Sequence, residues 1–349
     1  MLGRKKISQG GVGNGRFSVA GKPLPTLIVA VVILYLLVAL VLGMFWSRTP
    51  RPFDVEQNAN QAIAASHRKM VPGVVLVETL KRTASTLLDK SGGYLTNDVA
   101  PPGLWLDNMP SWEYGVLVQV RDMTRALRKD FARSQSQSAE DPDLAQAEPL
   151  FNFNNKSWAL PSSESQYRKA IAAVDAYEAR LADPEVARAH FYSRADNLSD
   201  WLGDVATRLG SLSQRLSASV GRVRLDVTPN TEQVASDERN LLLKEQTIRT
   251  PWLHIDNVYY EARGQAWALA LLLRAVEVDF ADVLAQKSSA VSLRQIIREL
   301  ESTQHTLWSP MVLNGSGFGL LANHSLVMAN YISRASAAII DLRDLLSRG

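Results

Sequence analysis

"LSDWLGDVATRLGSLSQRLSASV", residues 198–220, decides the fold class. Leu198, Trp201, Val205, Leu209, Leu212, Leu216 and Ser219 recur at steps of three or four. That spacing is close to the 3.5-residue period that keeps one apolar seam turned toward a neighbouring helix. Three heptads make a short seam. An antiparallel partner within the same chain is therefore expected in preference to a free dimer.

Outward from this seam the apolar pattern stays helical. Helices are expected from about Val55 to Met70, from Pro72 to Lys90, and from near Pro110 to Ser134. Further ones are expected from Glu164 to Ala182, over 231–248 less regularly, from Pro251 or Trp252 to Lys287, from Val291 to Leu307, and over 319–346. Pro72 and Pro110 suit first helical turns, and Gly92-Gly93 suits a helix end. Between helices lie two aromatic loops (94–110 and 149–163), a polar break ("SQSQSAEDPD"), a loop at 225–230 and the Gly-rich "SPMVLNGSGFG". Sustained β alternation and repeats of fixed period are missing. The expected class is all-α: an elongated helical bundle of long helices on an N-terminal transmembrane helix.

That transmembrane helix is "LPTLIVAVVILYLLVALVLGMFW", residues 24–46, which carries no charged side chain. At a rise of about 1.5 Å per residue it spans roughly 35 Å, enough for a hydrocarbon core of about 30 Å. Cleavable leaders have shorter apolar runs and a small-x-small exit. Here Gly43-Met44-Phe45-Trp46-Ser47-Arg48 is bulky and then basic, which points to an uncleaved signal-anchor. Phe45 and Trp46 lie where an interfacial aromatic belt belongs. Arg4, Lys5, Lys6, Arg16 and Lys22 precede the span with no acidic residue, whereas Arg48 and Arg51 follow it beside Asp54 and Glu56. The positive-inside rule then keeps residues 1–23, read as a disordered tail, in the cytoplasm. Residues 47–53 form a proline-rich stalk, and residues 54–349 form an exported, periplasmic all-α domain.

Charge narrows the partners. Taking the five tail cations from the 38 basic residues leaves 33 against 35 acidic ones, a net of −2 for the rest. The basic character therefore belongs to the tail, and nucleic acid is not expected as a partner. The lipid bilayer is expected, through residues 24–46, and so is a protein partner in the envelope; the oligomeric state stays open. With no cysteine, thiol catalysis, Fe–S clusters and Cys-ligated zinc fall away. The five histidines, at 67, 190, 254, 305 and 324, share no i,i+3 or i,i+4 spacing. No metal site and no cofactor is expected.

Signatures of phosphate-binding loops, nucleophile elbows, metalloprotease helices, EF-hands and dinucleotide folds are missing, so the reading leans away from an enzyme. Acidic pairs such as Asp279 and Asp282 read as a solvated helix face. Two stretches could form a binding surface. "PPGLWLDNMPSWEYG" (101–115) gathers Trp105, Asp107, Asn108, Trp112, Glu113 and Tyr114, which combine apolar area with directional hydrogen bonds. Architecture would explain the same residues: Asp107 or Asn108 as a cap, Glu113 against the helix dipole, Trp105 and Trp112 as plugs of the bundle end. In "PWLHIDNVYYEARGQAW" (251–267), Trp252, Tyr259, Arg263 and Trp267 fall along one helical stripe with Asp256 nearby. This set reads either as an anion site or as a buried cation–π and ion-pair knot.

The segments "GLWLDNMPSWEYGVLVQVRDMTRALRKDFARSQSQS" (103–138) and "EPLFNFNNKSWALPSSESQYR" (148–168) resemble a family of uncharacterised proteobacterial inner-membrane proteins, a domain of unknown function. The resemblance covers most of the chain, anchor included. It implies an envelope location in a Gram-negative cell and carries no catalytic residues. The functional expectation is a binding or scaffolding component of the envelope. Its rivals are a carbohydrate-cleaving hydrolase using carboxylates such as Glu113, and a ligand sensor that signals through a partner.

Overall fold

The computed structural model describes residues 24–66, 68–134, 138–183, 189–226, 244–309, 311–315 and 320–348. The described helices are α1 (Leu24–Trp46), α2 (Val55–Ser66), α3 (Val74–Asp89), α4 (Asn108–Ala126), α5 (Pro142–Phe151) and α6 (Ser163–Leu181). They continue with α7 (Ala195–Ser217), α8 (Ile255–Asp279), α9 (Ala281–Gln286), α10 (Ala290–Ser302) and α11 (His324–Ser347). Two short antiparallel strands, β1 (Arg222–Asp226) and β2 (Lys244–Ile248), pair with Arg222 opposite Ile248 and Asp226 opposite Lys244.

The seam of α7 is buried along its whole length, from Leu198 through Trp201, Val205, Leu209 and Leu212 to Leu216. Its partner is α11. Ser213 Oγ donates to the carbonyl of Ala329 (3.2 Å), Ser336 Oγ to that of Ala206 (3.2 Å), and Arg343 Nε to that of Ser199 (2.9 Å). The pairings run in opposite order along the two helices, so the partner is intramolecular and antiparallel, as the heptads predict.

The second pair, α4 and α8, runs in the same direction, with Gly115 against Glu261 and Gln119 Nε2 donating to Gln265 Oε1 at 3.4 Å. Their backbones nearly touch. A Cβ added at Gly115 would overlap the carbonyl oxygen of Glu261, and one at Gly264 would overlap that of Trp112. The contact is reciprocal: each glycine admits the backbone of the other helix. Around it Trp112 packs at a tilt against Trp267 (ring centroids 5.2 Å, planes 58° apart), and Phe53 meets Trp267 edge-on at 6.3 Å. At the other end of the bundle, Phe131, Phe191 and Phe280 lie 5.4–5.7 Å apart.

The start of α3 is capped from a distance. Asp279 Oδ2, at the end of α8, accepts the N–H of Leu76 at 2.7 Å, so α3 and α8 run antiparallel. Arg168 meets Asp89 (3.0 Å) and Lys81 meets Glu178 (2.6 Å), which sets α6 antiparallel to α3. One end of the bundle thus collects the C-termini of α3 and α7 and the N-termini of α4, α6, α8 and α11. The helix α1 joins there: Trp46 packs against Gly92, Gly43 against Pro102 and Leu106, and Tyr35 Oη donates to the carbonyl of Pro101 (3.1 Å).

Several boundaries differ from expectation. Residues 142–151 form α5 where a break running into a loop was expected; Asp141 accepts the N–H groups of Asp143 (3.0 Å) and Leu144 (3.3 Å), and Pro142 takes the first helical position. The α4 helix passes into a wider π-type turn at Leu127–Phe131 and stops short of Ser134. The expected single helix to Lys287 breaks at Phe280, where Asp279 turns away to cap α3. Of the expected helix over 231–248, residues 244–248 are strand and the remainder lies outside the described residues, as do residues 227–230 of the expected loop; Leu225 and Asp226 belong to β1. The longest body helix among the described residues has 25 residues, about 37 Å of rise.

Two outcomes follow for stability in detergent, read as the urea midpoint. Gly115→Ala and Gly264→Ala each force two backbones apart and are expected to destabilise by about 3 kcal/mol. Gly210→Ala on α7, whose Cβ would meet only Ser336 Oγ at 4.0 Å, is expected to gain a few tenths to about 1 kcal/mol. Burial, partly offset by the N–H groups of Leu76, Gly73 and Val75, raises the Asp279 carboxyl to about 6 from an ordinary 3.8. A raised carboxyl favours the fold while protonated; the contribution is complete below about pH 3.8 and lost as pH rises through about 6. Asp279→Asn is expected to flatten the stability–pH curve across that window by on the order of 2–3 kcal/mol, seen by unfolding at several pH values.

Candidate functional site

A cavity of about 530 Å³ opens at the end of the bundle where α1 joins. One wall is the segment before and into α4, with Leu104, Leu106, Asp107, Ser111 and Tyr114; the facing wall is His254, Asn257, Val258 and Glu261 at the start of α8. Arg215 of α7 and Lys156 complete the rim. The two stretches singled out in the sequence therefore meet around one cavity, because α4 and α8 run side by side in the same direction. The aliphatic walls carry charge of both signs. Arg215 and Glu261 are joined in a two-pronged pair, Nη1 to Oε1 at 2.7 Å and Nη2 to Oε2 at 2.5 Å.

Asp107 flanks the first turn of α4 and makes no side-chain capping bond. Asp256, in the first turn of α8 and next to the wall residue Asn257, feels the charge of Asp107, and its Oδ1 accepts the N–H of Asn257 at 3.1 Å. Burial, and then the charge of Asp107, push the Asp256 carboxyl up. Asn108 begins α4, with its side-chain oxygen buried and without a protein partner among the described residues.

The tryptophans of the 101–115 stretch divide. Trp112 is fully buried against Trp267 and does plug the bundle, whereas Trp105 stands 51 % exposed and plugs nothing. Glu113 lies at no helix-end surface. It is fully buried, and its carboxylate accepts the N–H groups of Leu95 (2.9 Å) and Thr96 (2.8 Å) and pairs with the buried Lys90 ammonium. Burial raises its pKa, opposed by Lys90 and the Thr96 and Leu95 bonds. All its bonding capacity is spent on holding the loop that follows α3.

The stripe on α8 also resolves differently. Trp252 sits in a short 3-10 turn before the helix and is 74 % exposed. Tyr259, Arg263 and Trp267 are buried on α8. Arg263 donates from Nη1 to the carbonyl of His305 and from Nη2 to that of Gln304, both at 2.9 Å, while Gln304 Nε2 donates back to the Arg263 carbonyl at 3.1 Å. The guanidinium holds the exit of α10; Asp256 is not its partner. Anion site and ion-pair knot both give way to a carbonyl clamp.

Three carboxylates outside the cavity, of Glu78, Asp175 and Glu178, converge closely enough to ligate a cation. The Lys81 ammonium already stands 2.6 Å from each of them, supplying the positive charge in their midst. Glu178 is pushed up to about 7 by burial and by its hydrogen bond with Glu78, against the pull of Lys81.

Of the residues singled out in the sequence, Asp107 and Tyr114 line the cavity, and Asp256 stands next to the wall residue Asn257. Sequence reasoning missed Arg215, which sits on the polar flank of the α7 seam, and Glu261, which carries no signal apart from its pairing across the fold.

A family model described as "uncharacterized protein conserved in bacteria" (DUF2333) matches residues 21–349, spanning α1 and the whole helical body. The chain belongs to this family. No curated protein and no solved structure matches it. The DUF2333 match agrees with the resemblance seen in segments 103–138 and 148–168, and it includes the apolar helix within the conserved unit.

Breaking the Lys90–Glu113 pair is expected to be costly. Glu113→Gln and Lys90→Met each leave a buried group short of its partner and are expected to lose about 3 kcal/mol in urea unfolding. The double variant is expected to lose clearly less than the sum of the two.

Proposed function

We propose that this DUF2333 chain is a membrane-tethered binding or scaffolding component of the bacterial cell envelope. In this reading α1 spans the inner membrane, residues 1–23 stay in the cytoplasm, and the helical body stands on the periplasmic side. Between 27 and 46, only Ala39 and Gly43 of α1 are buried, so the helix offers apolar side chains around most of its circumference. A helix apolar on nearly all sides and unburied by protein requires an apolar surrounding. The five basic residues ahead of it support the orientation.

The observation that carries the binding role is the cavity at the anchored end, where the 103–114 and 254–261 walls meet under mixed charge. That cavity also favours a ligand-sensing variant of the same reading. The carbohydrate-hydrolase reading loses its named acid, since the Glu113 carboxylate is sealed among Leu95, Thr96 and Lys90.

The test uses intact cells. A photo-crosslinking amino acid at Ser111 or Asn257, on the cavity walls, is expected to yield discrete adducts that the same group at Val291 does not. Cavity positions as silent as Val291 would remove the binding role. A reporter active only outside the cytoplasm, fused at Gly349, is expected to be active; an intact, membrane-bound and inactive fusion would reverse the orientation.

A further inference from the structure

Exposed apolar side chains outside α1 are unevenly placed. Trp105 (51 %), Trp158 (65 %), Trp252 (74 %) and Trp308 (93 %) are the exposed tryptophans among the described residues. All four lie in loops at the end of the bundle that α1 joins. The Trp158 loop is tied to the segment after α3 by Tyr94 Oη donating to the Asn155 carbonyl (3.0 Å) and Asn97 Nδ2 donating to the Ser157 carbonyl (2.8 Å). The Trp252 turn adjoins the cavity wall at His254, opposite Leu104. The Trp308 loop follows the carbonyls that Arg263 clamps. Leu104, Leu160 and Leu253 stand exposed beside these rings.

The same loops are short of charge. No charged residue or histidine occurs in 99–106, 157–162, 250–253 or 306–323. Solvated loops seldom expose several large rings in such company, and apolar patches of this kind mark a contact surface.

The course of the 99–106 loop says what that surface meets. Pro102 and Leu106 pack on Gly43, and the carbonyl of Pro101 accepts the Tyr35 hydroxyl at 3.1 Å. From Trp46 back to Tyr35 is eleven residues, about 16 Å of helix rise and about half the thickness of a hydrocarbon core. The loop therefore runs along the flank of the anchor, so whatever medium surrounds the outward half of α1 also surrounds Leu104 and Trp105.

We propose that the loops carrying Trp105, Trp158, Trp252 and Trp308 form a second membrane-contacting surface. The 99–106 loop enters the hydrocarbon of the leaflet nearest the body, and the other three rest at its interface. Tryptophan suits that depth because an apolar ring and one N–H match a boundary that is greasy on one side and wet on the other. This inference rests on α1 lying in a bilayer, as proposed above. It adds that the body grips the same bilayer from the side, with lipid as the partner of its loops.

Because the chain has no cysteine, single spin labels can be placed cleanly. Leu104→Cys, Leu160→Cys and Leu253→Cys are compared with Leu34→Cys in α1 and with the exposed Val291→Cys at the far end, using the full chain in phospholipid nanodiscs. Collision rates with oxygen, which concentrates in lipid, and with a water-soluble nickel chelate give the depth of each label. The ratio is expected to be several-fold higher at 104 than at 291, intermediate at 160 and 253, and high at 34. Labels at 104, 160 and 253 as wet as 291, with 34 in lipid, would overturn the proposal while leaving the anchor intact. Labels screened from both reagents would overturn it in favour of a protein partner. A wet label at 34 would instead sink the reading of α1 on which it rests.

Discussion

Two glycines hold the arrangement together. Gly115 and Gly264 let the backbones of α4 and α8 meet with no side chain between them, which fixes the spacing and the register of the pair at once. Parallel neighbours cannot be joined by a short turn, so the chain spends residues 127–254 travelling back, and α5, α6 and α7 are built from that return. Because the two helices start level with each other, the segments that precede them emerge at the same end. The cavity, the loop beside α1 and the exposed rings all inherit their position from that contact.

Much of this architecture was legible in order along the chain. The α7 seam announced both its class and its antiparallel partner, because a stripe from Leu198 to Leu216 needs a second stripe of equal length, and α11 supplies it. The apolar run of α1 was unmistakable for the same reason: twenty-odd residues without a charge admit few environments. Local chemistry of the Asp141-Pro142 kind was also present in the letters, yet its polar surroundings hid a ten-residue helix.

What was not legible is long-range pairing of charge. Glu113 sits among residues that suit a helix start, and nothing nearby reveals that Lys90 and the N–H groups of Leu95 and Thr96 enclose it. Arg263 looked like half of an ion pair because Asp256 was close in sequence; its partners are backbone carbonyls some forty residues on. Asp279, read as solvated, closes the start of α3 from two hundred residues away. Such buried polar contacts cost desolvation and yield little net stability, but a misregistered neighbour would leave them bare, so they select one packing over its near alternatives.

The segment joining α1 to the body bears on how the molecule can move. Residues 47–53 read as a stalk, yet both ends are moored: Trp46 lies across Gly92, and Phe53 reaches the Trp267 ring in the middle of α8. A flexible leash lets its cargo sample a hemisphere and spend orientation entropy at every encounter. This cargo has no slack to explore. With α1 in a bilayer, as proposed above, the approach of the body to any neighbour would reduce to lateral drift and spin about one axis.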